Sequence, residues 1–145
     1  MKDPTIICVF KLEKFRVGNI PQIKTGEFYK IIFLKNQTQG FASLVFDYPG
    51  TPLIHSAGEE GFLCLFSRTF FSKVITDKID LISYGTKRGT FYSLNEKEDS
   101  HVTSIFTKML QEINSHYTYK HDLLRNYISE ITHVVLKSLA ENQYH

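Results

Sequence analysis

The last third of the chain, Leu94 to Ala140, limits the fold more than any other stretch. It reads as two amphipathic helices in tandem behind a run of short strands. Asn95, with Glu98 three residues on, has the reciprocal spacing of a capping box, and Leu94 just ahead is placed for a hydrophobic staple. Val102, Ile105, Phe106, Met109, Leu110 and Ile113 then recur at intervals of three and four, which lays one apolar stripe along a helix. Ser115-His116 and the β-branched Thr118 mark a joint. A second stripe follows in Leu123, Leu124, Tyr127, Ile128, Ile131, Val134, Val135 and Leu139, wider than one partner surface needs. Two readings account for that width. Either both helices cover an open face of the strand region, or the second helix also pairs with its own copy.

Ahead of the helices, extended segments alternate with turn signals. Thr5–Leu12 is β-rich and almost continuously apolar, so no single face can be assigned to it. Gly18-Asn19, Pro21 and Lys24-Thr25-Gly26 break the pattern. Glu27–Lys35 is the strongest strand, followed by the polar loop Asn36–Gly40 and a further strand over Phe41–Tyr48 that Pro49-Gly50 ends. After an extended Thr51–His55 and the turn Ser56–Gly61, a buried strand spans Phe62–Ser67. Arg68–Val74 reads as one helical turn whose two phenylalanines plug the barrel end. Ile79–Tyr84 fits a strand or a helix, and Thr90–Leu94 leads into the helices. Strands punctuated at such short intervals point to a sandwich or barrel, so the fold class is α+β.

Composition removes several functions. The 145 residues suit one domain, and 42% hydrophobic with 22% charged residues is a globular balance. A net charge of +2 from scattered basic residues supplies no nucleic-acid surface. No stretch approaches the roughly 20 apolar residues of a membrane span, and Asp3 and Pro4 stand where a signal peptide needs a basic patch, so a cytoplasmic location is expected. The two cysteines, Cys8 and Cys64, each lie in an apolar β-like run without nearby positive charge. There they act as small hydrophobes rather than as thiolates.

Catalytic patterns are absent from the sequence. No glycine-flanked nucleophile elbow surrounds Ser43 or Ser67, and Gly58-x-x-Gly61 is too short for a phosphate loop and precedes a strand. A metal site needs three or more convergent ligands, yet of the six histidines only His55 falls among the strands. No metal, no cofactor and no enzyme activity are expected. Binding remains. With 12 Phe, 8 Tyr and no Trp, the strands can line an apolar pocket with Tyr29, Phe33, Phe46 and Phe66, His55 standing nearby, or fill that space completely.

The order of these segments carries a resemblance. An "FYKIIFL" strand, an "LVFDYPGTPLIH" turn and a "GFLCLFSRTFF" strand with its phenylalanine plug come first. "YSLNEKE" then opens a helix, "KMLQEINSHY" closes it and "KHDLLRNYISEI" starts the next. Together they resemble the N-terminal sensory and dimerising half of AraC-type transcriptional regulators, over Glu27–Leu139. The resemblance implies a cupin-like, double-stranded β-helix barrel over residues 1–94 and a two-helix dimerisation or cover region over 95–140, in one structural unit. It further implies a small-molecule effector and a homodimer through the last helix, with Leu124, Tyr127, Ile128, Ile131 and Val135 as the contact. DNA would be read only through a helix-turn-helix domain that this chain does not contain. The segment between Leu34 and Gly61 is shorter than the family usually shows, which shrinks any pocket. The alternative is a stand-alone cupin-like small-molecule binder or enzyme.

Overall fold

Side chains alternate across a strand, and here both alternating sets are apolar, so these strands belong inside the molecule rather than at its surface. The computed structural model describes residues 6–14, 28–36, 41–47, 49, 60–70 and 91–142. Five strands appear among them: β1 (Ile7–Lys11), β2 (Tyr29–Asn36), β3 (Phe41–Asp47), β4 (Gly61–Phe66) and β5 (Phe91–Leu94). They form one sheet in the order β1-β4-β2-β3-β5, antiparallel at every junction. Also among the described residues are two α-helices, α1 (Glu96–Ile113) and α2 (Lys120–Asn142), and short 3-10 turns at Leu12–Lys14 and Arg68–Phe70.

The α+β outline is as the sequence reads, and the strands fall within a residue or two of their expected places. Three features differ. Phe91–Leu94 is a strand in its own right, paired with β3 through Ala42↔Leu94 to Val45↔Phe91. Leu94 is not a staple, since the position that would receive it is Asp99; it is buried in the main core instead. The sheet of the described strands is also open, with β1 and β5 at its edges, and these strands do not close into the expected cupin-like barrel. The turns at Gly18 and Gly26, the segments 50–59 and 71–90 with the ambiguous Ile79–Tyr84, Phe71 of the plug, and His55 lie outside the described residues.

Register decides which residues meet. On one face stand Ile7 and Val9 of β1, Tyr29, Ile31 and Phe33 of β2, Ala42, Leu44 and Phe46 of β3, and Phe62, Cys64 and Phe66 of β4. Against them pack Val102, Ile105, Phe106 and Met109 of α1 and Leu124, Ile128, Ile131 and Val135 of α2, all at most 2% exposed. The other face gathers Ile6, Cys8, Phe10, Leu12, Phe28, Ile32, Leu34, Leu63 and Leu65 in a second cluster. β4 is buried on both sides along its whole length, which is why its sequence shows no alternation. β1, the strand whose face could not be assigned, buries Ile7 and Val9 against the helices, while Cys8 and Phe10 on its other face are only half-buried and Lys11 is exposed.

Local chemistry fixes the ends. Asn95 Oδ1 accepts from the Glu98 amide at 2.8 Å and Glu98 Oε1 from the Asn95 amide at 2.9 Å, so the expected capping box starts α1. At the joint, Lys120 Nζ donates to the carbonyls of Ser115 and Ile113 at 3.1 and 3.4 Å, satisfying acceptors that the end of α1 leaves open. Gly61 opens β4 with φ of +147°, and a Cβ there would stand 1.8 Å from the Phe33 carbonyl oxygen. Only glycine lets β4 enter the sheet at that point.

Candidate functional site

The four described residues of the expected pocket, Tyr29, Phe33, Phe46 and Phe66, all lie on the helix-covered face, because their positions in β2, β3 and β4 share one parity in the register. Each is at most 3% exposed, and each ring is in contact with another protein ring. Tyr29 stacks on Phe66 with centroids 5.3 Å apart, and Phe46 meets Tyr92 edge-on at 6.4 Å. Phe33, Phe62 and Phe106 form a triple stack with centroid distances of 6.0, 5.8 and 5.2 Å. Such contacts add to area burial at well-defined geometry. The sheet is thereby joined through rings to α1.

A second link reaches α2. Phe66 tilts against Phe70 of the 3-10 turn at 6.1 Å, and Phe70 in turn meets His121 edge-on at 5.7 Å. Arg125 holds this turn in place: its Nε donates to the Phe70 carbonyl at 2.5 Å, its guanidinium lies 4.7 Å from the Phe70 ring centroid, and Nη1 donates to Asp122 Oδ1 at 2.9 Å. Of the two phenylalanines expected to form the plug, Phe70 is buried in this turn, and Phe71 lies outside the described residues. The Arg125 clamp on it has no sequence signature, since the contact joins residues far apart in the chain.

The expected dimer contact has a different placement. Leu124, Ile128, Ile131 and Val135 are 0–1% exposed within a single copy, in the core shared with the sheet and α1. These four face inward, and of the expected set only Tyr127 is half-buried at the rim. Thr132, also buried, returns its hydroxyl to the Ile128 carbonyl at 2.9 Å, so the polar residue on this inner face is satisfied.

On the opposite face of the sheet, Lys30 is completely buried across the ladder from Asp47, its register partner. Burial pushes the Lys30 ammonium below its ordinary value, opposed by the attraction of Asp47. Burial likewise pushes the Asp47 carboxyl up, opposed by Lys30. A buried lysine inside "FYKIIFL" is not anticipated from the sequence; its signal is a charged residue near the start of the most apolar strand. Cys8 and Cys64 lie on opposite faces, both thiols raised by burial, and neither forms a disulfide.

A groove of about 640 Å³ separates the start of α1 from the end of α2, lined by Lys97, Glu98 and His101 from one helix and Glu130, His133, Val134, Lys137 and Glu141 from the other. Among the described residues, no three His, Cys, Asp or Glu side chains are placed to hold a metal ion, and no helix is long and apolar enough to cross a membrane. A scan against protein-family models finds no match, and a search of the curated proteins finds none either.

Proposed function

We propose that this chain is an effector-sensing and pairing module of a transcriptional regulator, of the kind its sequence resembles in AraC-type proteins. DNA is contacted by a separate helix-turn-helix domain in this reading. The observation that carries it is the pair of ring-to-ring links from one sheet face: Phe33–Phe62–Phe106 into α1, and Phe66–Phe70 with Arg125 into α2. A packed core has few alternative arrangements, so a change in how Tyr29, Phe33, Phe46 and Phe66 sit moves both helices together. The effector, or an internal signal in its place, acts at those rings, and α2 delivers the result to a second copy. The finer form of the reading is a cupin-like barrel, with the open sheet of the described strands as one wall.

Fusion of this chain to a DNA-binding domain that occupies its operator only as a dimer tests the proposal. Restored operator repression in a reporter strain, weakened by Phe70→Ala, is expected. A fusion that folds but represses no better than the isolated DNA-binding domain would overturn it.

A further inference from the structure

Four basic side chains line the groove between the start of α1 and the end of α2, two from each helix: Lys97 and His101 from α1, His133 and Lys137 from α2. The groove brings the beginning of one helix against the end of the other, so the two run antiparallel. Counted outward from the joint, Lys97 and Lys137 stand at matching distances to within one residue. His101 and His133 do the same one turn nearer to it. Ammonium therefore stands across from ammonium on one level, and imidazole across from imidazole on the next.

The carboxylates of the groove sit elsewhere. Glu98 turns back to the Asn95 amide at 2.9 Å in the capping box. Glu130 and Glu141 lie about a turn beyond the basic levels, one at either end along α2. The middle of the groove is left basic. Two ammonium groups across a groove repel each other, and an anion between them replaces that repulsion with two attractions. Lysine takes phosphate as a point charge, and an imidazole has a ring N–H to donate in either charge state. Levels one turn apart, about 6 Å, suit the outer oxygens of two joined phosphoryl groups better than those of one. A space of about 640 Å³ is of a size that accepts a small metabolite.

We propose that the α1–α2 groove is a binding site for a diphosphate group, with Lys97 and Lys137 on one phosphoryl group and His101 and His133 donating to the other. A diphosphate held there ties the two helices together at the end far from their joint. The site is independent of the ring face that carries the proposed function.

Isothermal titration calorimetry of the whole chain with inorganic pyrophosphate tests it, with circular dichroism confirming that each variant is folded. Saturable binding of one pyrophosphate per chain is expected, about tenfold tighter than inorganic phosphate, which reaches a single level. Lys97→Gln and Lys137→Gln should each weaken it about tenfold. Lys108→Gln removes the same charge from an exposed position of α1 outside the groove. It should change binding by less than about twofold in about 0.1 M salt, where charges more than about 10 Å apart are screened. His101→Ala with His133→Ala should erase the preference for pyrophosphate over phosphate. ADP in place of pyrophosphate separates a free diphosphate from one carried on a larger molecule, and either upholds the site if the groove lysine variants weaken it. No saturable binding, equal binding of phosphate and pyrophosphate, or groove lysine variants that bind no worse than Lys108→Gln would overturn it.

Discussion

The same strands supply both faces of the sheet, yet the two faces have different chemistry. The helix-covered face is built on stacked rings from β2, β4 and α1, with Lys35 at its margin beside Phe33 and paired to Asp99 of α1. The opposite face is mainly aliphatic, with Phe10 and Phe28 among its apolar residues, and carries Cys8 and the Lys30–Asp47 pair. Tightly packed rings make the first face rigid and couple it to the helices. A buried charge pair makes the second face sensitive to pH and costs stability that an apolar pair would not. What the difference teaches is where a signal would travel in the proposed reading: among the described residues, it is the ring face that packs against α1 and α2.

The largest effect expected is at the junction of sheet and helix. Phe106→Ala removes the ring that meets both Phe33 and Phe62, and should lower stability by roughly 3–5 kcal/mol in urea denaturation. A loss below about 1 kcal/mol would mean the stack is not what joins the two layers. Gly61→Ala tests the entry of β4 into both faces at once. With no room for a Cβ against the Phe33 carbonyl and φ at +147°, it should cost roughly 3 kcal/mol.

The smallest effect separates the faces by pH. Asp47 titrates above its ordinary value when folded, so stability falls as pH climbs through the window above that value. Lys30 titrates below its ordinary value, so stability rises as pH climbs through the window beneath it. The pair therefore weighs most against the fold between the two windows, around neutrality. Lys30→Met with Asp47→Leu should match or exceed wild-type stability there by about 1 kcal/mol, and the advantage should shrink toward both pH extremes. A difference that does not vary with pH would remove the second face from the account.

Much of this was legible in the sequence because it is local. The Asn95–Glu98 box, the stripe from Val102 to Met109 and the strand at Glu27–Lys35 depend on residues within a few positions of each other. The burial of Phe70 was also readable, since a phenylalanine pair after a buried strand needs somewhere to go. What escaped depends on register and crossing. β5 is too short to announce itself, and its identity comes only from pairing with β3. What the inner side of α2 packs against stayed open in the sequence, between the sheet face and a second copy, for a related reason; in the structure it covers the sheet. Periodicity shows that Leu124, Ile128, Ile131 and Val135 share a side, but the partner of that side is a matter of tertiary packing.

Ile131→Asp tests that assignment most directly, because a helix that pairs through Ile131 and one that buries it predict opposite results. Thermal unfolding followed by circular dichroism, with sedimentation of the soluble fraction, reads both. A carboxylate placed where Ile131 is 0% exposed should leave the chain unfolded or severely destabilised. A well-folded, soluble monomer of wild-type stability would show instead that this face of α2 turns outward.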